Sequence, residues 1–492
     1  MKPRSDAAYA WGFALLGALF FLPFLGGAHL FDWDEVNFAE ISREMLITRE
    51  YTRVYVNFEP FFQKPPFFFW LQAGAMALFG VGEYAARFPN ALCGILTLPL
   101  LFLAGKRLKG QRFGIIWAGA YFGSVLPFLY FKSGIIDPWF NFFIFLGLYY
   151  FILAYWKKDE KPGIALPQNY WWYLFLGGFW IGMGILTKGP VAYLIAVLTM
   201  GVYWVYQRFR FYVNVPQFLF FTASALLVSL IWFGLETMKN GPEFMIEFNV
   251  YQYRLFSTPD AGHRGFPGYH FVVLLVGCFP ASIFAVRAFF RLPAEQYDYQ
   301  RDFRIWMKFL FWVVLILFTI VRSKIVHYSS MAYFPLTYLA ALTIEGLISG
   351  AIAWKRWMKI LLHSIGGLFV LVLAALPFVG RHIERLIPLI DDPFAQGNLQ
   401  AEVVWSGWEA IPGLFLLVLL IVFGWWMQRN RKQAFAILFG GSAVFVMLTL
   451  VFLVNRIEGY SQRAAIDFFT EKRQEDAHYL VYGYKSYAHL FY

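Results

Sequence analysis

A succession of apolar runs, each of roughly the 17 to 25 residues that cross a bilayer as a helix, is what most restricts the fold of this 492-residue chain. Lipid offers backbone amides no partner, so such runs must be helical. They fall at residues 9–30, 84–105, 113–131, 138–156, 171–187, 190–206, 215–235, 269–290, 305–321, 329–349, 358–379, 409–428 and 434–454. An all-α polytopic membrane protein with about 13 spans is the expected fold class. A further apolar piece, 66–80, is short, and counting it would invert every later loop. It reads as re-entrant or interfacial. No small-residue cleavage site follows the first apolar stretch, so that stretch is expected to remain as an uncleaved span.

Charge sets the orientation. The clusters Lys106/Arg107/Lys109/Arg112, Lys157/Lys158/Lys161, Arg208/Arg210, Lys355/Arg356/Lys359 and Arg429/Arg431/Lys432 all fall on one side, together with Lys2 and Arg4. Basic residues concentrate on the cytoplasmic side, which puts the N-terminus inside and the C-terminus outside. The net charge of +11 then reflects orientation and lipid headgroups, and no nucleic-acid partner is implied. Both cysteines, Cys93 and Cys278, lie in apolar segments, which argues against a disulfide framework or a thiolate metal cluster. Residues 1–454 form the membrane domain, with 31–83 as a large first outer loop carrying juxtamembrane helices. Residues 455–492 hold an amphipathic stretch at 463–469 and an alternating stretch at 478–492 that suits strands. They read as the start of a small α/β outer domain, apparently truncated.

On this topology the unusual polar residues gather at the outer face. The stretch FDWDEVNFAE, residues 31–40, contributes Asp32, Asp34, Glu35 and Glu40, and Lys64 lies further along the same loop. Asp137 and Lys188 occupy two tight outer turns, Arg254, His263 and His270 a fourth outer loop, and Arg322, Lys324, His327 and Tyr328 a fifth. Ionisable groups at membrane depth are costly and mark functional cavities. Cations beside the bilayer suit a lipid phosphate, whereas carboxylates suit a hydroxyl or amine acceptor, or a metal. Together they suggest group transfer from a phosphorylated lipid.

Each residue also has a local structural explanation. Asp32 can cap a short helix with Glu35 as its capping-box partner and Phe31 stapled against Val36, which leaves both roles open for those two acids. Glu40 and Glu44 suit a polar face with Arg43. Lys188, in ILTKGPVA, can snorkel to headgroups or meet a phosphate, and Asp137 can cap the helix that Pro138 opens. His263 and His270 sit in a Gly/Pro-rich loop where a surface role is the default. Asp34 has no such local duty.

The motifs resemble a known family. DWDEVNFAEISREML followed by FFQKPPFFFW is similar to the signature of the GT-C glycosyltransferases that include the aminoarabinose transferases and protein mannosyltransferases. EYAARFPNAL, the Asp137 turn, LTKGPVA, the HRGFPGYH loop with GCFPAS, and SKIVHYSSMAYFPL resemble that group's later landmarks in order. The resemblance implies an integral-membrane enzyme that moves a sugar, with inversion, from a polyprenyl (undecaprenyl) phosphate to an envelope acceptor outside the cytoplasm. Lipid A or a related glycolipid is the expected acceptor and a protein hydroxyl the alternative; a flippase of polyprenyl-linked sugars is the alternative of another class. It also implies a monomer surrounded by membrane lipids.

By the same resemblance Asp34, with Glu35, is the catalytic carboxylate, and Lys64, Lys188, Lys324 and Arg254 meet the donor phosphate. Asn37, Gln63, Asp137, His327 and Tyr328 line the substrate cavity. The family places an acid before KPP that joins the loop histidine in holding a metal; here Gln63 stands in that position, with His263 as the matching histidine. A zinc-like or Mg/Mn ion is therefore an expectation that Gln63 weakens. Asn37 stands where the family has Arg, and Val326 and His327 replace a proline-threonine pair. No P-loop or dinucleotide fingerprint is present, so no nucleotide cofactor is expected.

Overall fold

The computed structural model describes residues 6–31, 33–258, 265–477, 479, 481 and 486–492. The chain is mostly helical. From the N-terminus run α1 (Asp6–Phe21), α2 (Asp34–Thr48), a two-stranded hairpin β1 (Tyr55–Val56) and β2 (Glu59–Pro60), α3 (Phe67–Phe79), α4 (Glu83–Lys109), α5 (Gln111–Phe122), α6 (Val125–Tyr130) and α7 (Asp137–Lys158). Next come α8 (Tyr170–Lys188), α9 (Val191–Tyr206), α10 (Val215–Asn240), α11 (Glu243–Ser257), α12 (Tyr269–Gly277), α13 (Ala281–Ala288) and α14 (Asp298–Ile320). A 3-10 turn, Val326–Ala332, leads into α15 (Tyr333–Ser349), followed by α16 (Arg356–Arg381), α17 (Pro393–Leu399), α18 (Ile411–Arg429), α19 (Arg431–Gly459), α20 (Arg463–Lys472) and α21 (Ala488–Phe491).

Among the described residues eight helices are long and apolar enough to cross a membrane, or nine if the bent pair α12–α13 is one span. The protein is thus multi-pass. Helix α7 is the hub: 94% of its apolar window is buried inside the protein, and it packs against α8, α4 and α9. The outer helices α10, α14, α16, α18 and α19 turn most of their surface outward, as lipid-facing helices do.

The expected spans depart from the structure in three places. The first helix stops at Phe21, because Pro23, Gly26 and Gly27 follow, and two cations collect the carbonyls that this break frees. Lys132 Nζ donates to the carbonyls of Phe20, Phe21 and Pro23, and Arg87 to those of Leu25, Ala28 and His29. Segment 113–131 is broken between α5 and α6. At the break a side chain on Gly123 would meet the Phe439 carbonyl at 2.2 Å, so the close approach of α19 requires glycine there. Segment 269–290 is not one straight span: α12 and α13 bend by 117° around Phe279–Pro280.

The outer loop also corrects the sequence expectations. Helix α2 begins at Asp34 after Trp33, which makes no side-chain cap, and Asp32 lies outside the described residues, so the capping box is not seen. Glu40 and Glu44 are buried rather than solvated. Glu40 pairs with Arg43 at 2.7 Å, while Glu44 accepts the amides of Asn57 (2.5 Å) and Phe58 (2.9 Å) at the tip of the β hairpin. Both tip residues have positive φ, 56° each, which points their amides the same way. In the tail, the amphipathic stretch forms α20 as expected, but the described residues of 478–492 form no strand. Ala488 and Ile466 pack with Leu30, Val36, Ala39 and Ala85, and the Tyr492 hydroxyl accepts the Leu30 amide at 2.8 Å. The described end of the tail is therefore docked on the first outer loop.

Burial pushes the Glu44 carboxyl up to about 7, as does the adjacent Glu40, against the pull of the two hairpin amides. A group that holds its proton more tightly folded than unfolded stabilises at low pH. The contribution is lost as pH rises from about 4.3, the ordinary glutamate value, through about 7. The free energy of unfolding in detergent should accordingly fall across that window, and Glu44→Gln should flatten the profile. An unchanged profile in the variant would assign the pH response elsewhere.

Candidate active site

One cavity of about 580 Å³ opens where the outer ends of α2, α7, α8–α9 and α11 meet the turn before α15. Its lining brings together Asp34, Glu35, Asn37, Gln63, Lys64, Asp137, Lys188, His327 and Tyr328. Nine sequence-selected residues, drawn from positions 34 to 328, thus converge. The volume falls within the usual range for small-ligand sites, and the remaining wall is mostly apolar and aromatic.

Asp34 sits in the first turn of α2, where the helix dipole favours a carboxylate, and its side chain keeps 35% of its surface exposed. His327 Nε2 lies 3.9 Å from Asp34 and 4.0 Å from Asp137, between the two carboxylates. Lys188 donates to Asp137 Oδ1 at 2.6 Å and stands over the rings of Phe140 (5.7 Å) and Tyr328 (5.4 Å). Asp137 is therefore the anchor of Lys188 rather than the helix cap that Pro138 suggested; it makes no side-chain cap bond. The turn that aims Lys188 needs Gly189, whose φ is +109° and whose added Cβ would lie 2.6 Å from Phe248. Lys64 reaches the Tyr251 hydroxyl at 3.4 Å and its ring at 4.8 Å. Asn37 Oδ1 and Asp137 Oδ2 are buried acceptors without a hydrogen-bond partner among the described residues. Unpaired acceptors in a cavity suit a ligand rich in hydroxyls.

Glu35 is not available as a base, although it was expected to share catalysis with Asp34. Its oxygens accept from Arg87 Nε (3.1 Å), Arg87 Nη2 (2.8 Å), the Phe31 amide (2.9 Å) and the Gly134 amide (2.5 Å). Burial alone would raise the carboxyl, but the Arg87 charge and these hydrogen bonds outweigh it and hold it below the ordinary glutamate range. With three carbonyls as its other partners, Arg87 uses all five donors to fix the start of α2 and hence Asp34. Sequence reasoning passed over Arg87; the usable signal was an arginine inside the first turns of an apolar span.

Two expected phosphate contacts fall outside the cavity lining. Lys324 turns away: its Nζ donates to the carbonyls of Phe318 (3.0 Å), Thr319 (2.7 Å) and Val321 (2.5 Å), closing the end of α14. Arg254 stacks on the Tyr251 ring at 5.2 Å and is absent from the lining. His270 is buried against Tyr269 and Phe318 rather than at the surface. His263 lies outside the described residues, and among those described no three His, Cys, Asp or Glu side chains are grouped to hold a metal. Trp33, Tyr251 and Tyr487, aromatic members of the cavity wall, were not anticipated; nothing in their local sequence sets them apart from the chain's many other aromatics.

Comparison with known proteins agrees with this picture. A family model described as dolichyl-phosphate-mannose-protein mannosyltransferase matches residues 63–232. The undecaprenyl phosphate-alpha-4-amino-4-deoxy-L-arabinose arabinosyl transferase of Edwardsiella ictaluri is 27% identical over 374 residues, 74% of this chain and 65% of that protein. Its counterpart in Pectobacterium carotovorum is 26% identical over 82% of this chain and 70% of its own length. The chain thus spans about two thirds of the length of these relatives. Among solved structures, ArnT from Cupriavidus metallidurans bound to undecaprenyl phosphate superposes with a TM-score of 0.78 at 19% identity, over 96% of this chain and 82% of that one. The same protein in its apo state gives 0.75 at 20% identity, over 99% and 84%. The chain thus shares the multi-pass fold of the ArnT structures. It resembles the undecaprenyl phosphate-alpha-4-amino-4-deoxy-L-arabinose arabinosyl transferases over 74% and 82% of its length.

Proposed function

We propose that the protein transfers a sugar from a polyprenyl (undecaprenyl) phosphate to a hydroxyl of lipid A or a related envelope glycolipid, at the periplasmic face and with inversion. The observation that carries this is the convergence of Asp34 with Lys64 and Lys188 in one amphipathic cavity. Asp34 accepts the proton of the attacking hydroxyl as its oxygen bonds to the anomeric carbon. The bond from that carbon to the phosphate oxygen breaks, and the phosphate leaves with the electron pair toward Lys64 and Lys188. Asn37, Gln63 and Asp137 offer acceptors and donors to sugar hydroxyls, and Glu35 acts only by positioning Asp34. The names of the relatives in Edwardsiella and Pectobacterium, which specify an undecaprenyl phosphate-linked aminoarabinose, support the donor class. The mannosyltransferase family model supports the second reading, in which a protein hydroxyl is the acceptor.

The reading includes thirteen spans with the N-terminus cytoplasmic, a catalytic first loop at 31–83, residues 455–492 as the beginning of a periplasmic domain, and a monomer in the inner membrane. Twelve of the thirteen apolar runs coincide with a helix or a broken helix pair, and α1 covers the first part of the remaining one; the charge reading puts the basic clusters on one side. Mass spectrometry of lipid A and of exported glycoproteins from a strain lacking the protein tests the acceptor. Loss of a lipid A substituent supports the first reading, and loss of a protein glycan the second. Unchanged glycans with polyprenyl-linked sugar accumulating on the inner leaflet would overturn both in favour of a flippase.

Lys188→Ala should lower kcat/KM for the donor about 10- to 100-fold, since it removes a charge-assisted contact worth roughly 1.5–3 kcal/mol. Equal activity would take Lys188 out of the phosphate site. A divalent ion held through His263 is a separate proposal, and no step above runs through it. If the ion is needed, thorough chelation should lower transfer and readdition restore it; transfer that survives chelation removes His263 from the site.

A further inference from the structure

At the opposite end of the helices a second cavity, of about 500 Å³, is lined by Arg112, Ile348, Ser349, Gly350, Asn430, Arg431 and Lys432. Three cations from two separate loops converge there, and no carboxylate is among the lining residues. Neither Arg112 nor Lys432 has a carboxylate within 4 Å among the described residues. The nearby acid, Glu345 on α15, lies 3.9 Å from Lys109 and also feels the charge of Arg112, so one carboxylate stands against Lys109 and the three cations of the cavity. Arg431 is held in place by donating to the Leu347 carbonyl at 2.7 Å, which fixes its guanidinium without neutralising it.

The placement of these cations conflicts with local helix electrostatics. Arg112 is the second residue of α5, and Arg431 and Lys432 are the first two of α19. Helix N-termini carry partial positive charge and favour acids, not bases. A basic excess on the cytoplasmic side serves orientation, but orientation is satisfied by basic residues anywhere in a loop. It does not require them to meet in one cavity at the unfavourable ends of two helices. A local conflict of this kind marks a site whose energy is completed by a ligand.

We infer that this cavity binds the phosphate of an anionic lipid headgroup in the leaflet opposite the active site. Basic pockets between spanning helices at that level recognise such headgroups. Arg112 and Arg431 supply planar donors for phosphate oxygens, Lys432 adds a point charge, and Ser349 and Asn430 provide neutral polar groups on the rim. The transfer reaction plays no part in the inference.

The test is native mass spectrometry of the full-length protein released from nanodiscs containing phosphatidylglycerol and phosphatidylethanolamine. Wild type should retain phosphatidylglycerol preferentially. Arg112→Gln, Arg431→Gln and Lys432→Gln should each lower that retention, by about fivefold per charge removed, the effect of one basic residue near an anionic surface. Arg208→Gln with Arg210→Gln, from another basic cluster on the same side, should not. Equal retention by the cavity variants and wild type would overturn the site, as would an equal loss in the Arg208/Arg210 control. Inorganic phosphate separates the sources: displacement of the lipid by millimolar phosphate would mean that the cavity takes any phosphate, overturning lipid selectivity. Thermal unfolding of each variant without lipid guards against misfolding; a variant that melts normally yet loses the lipid supports the site.

Discussion

Asp34→Asn is expected to lower glycosyl transfer by about 10²- to 10⁴-fold in kcat, the usual contribution of a positioned general base, while leaving donor KM nearly unchanged. The expectation follows from how little else Asp34 does. It is the half-exposed acid at the start of α2, and among the described residues no ion pair closer than 3.9 Å occupies it. Asparagine keeps the size and the hydrogen-bonding reach but cannot take the proton. Initial rates with a polyprenyl-phosphate sugar, read as separate kcat and KM, make the check. A kcat within threefold of wild type would remove Asp34 from proton transfer. Glu35→Gln should behave differently, losing activity together with thermal stability, because it weakens the Arg87 anchor rather than the base.

The second large effect concerns Arg87. Arg87→Met leaves Glu35 buried without its cation and frees the carbonyls of Leu25, Ala28 and His29. Breaking a buried pair by removing one partner costs about 3–5 kcal/mol, a large share of the usual stability of a domain. The outer loop should therefore loosen, with limited proteolysis between α2 and α4 and a lower unfolding temperature in detergent. Removing both partners, Arg87→Met with Glu35→Leu, should recover part of the stability because no buried charge remains. A single variant as resistant as wild type would show that the anchor is dispensable.

Much of the helical membrane architecture was legible because length and apolarity are strong signals. The cavity was legible for a related reason: Asp34, Lys64, Asp137 and Lys188 are ionisable residues placed where lipid would penalise them. Lys324 met the same criterion and misled. A lysine that caps three carbonyls at the end of α14 and a lysine that meets phosphate have the same sequence context, and only the fold separates them. Lys132 closes α1 in the same manner. Glu35 and Glu44 were ambiguous because their partners, Gly134 and Arg87 for one and a hairpin turn for the other, lie far along the chain or in a conformation with positive φ that no single residue type announced. The tail is a different case. Part of its alternating stretch, residues 478, 480 and 482–485, lies outside the described residues, and its described end forms the short helix α21 against the first outer loop.

Helix α2 is held at both ends. Arg87 fixes its start by gripping Glu35 and the carbonyls of Leu25, Ala28 and His29, and Glu44 fixes its far part to the hairpin amides of Asn57 and Phe58. Asp34 thus stands at one end of a rod clamped twice, so a disturbance of the hairpin reaches it only through the length of the helix.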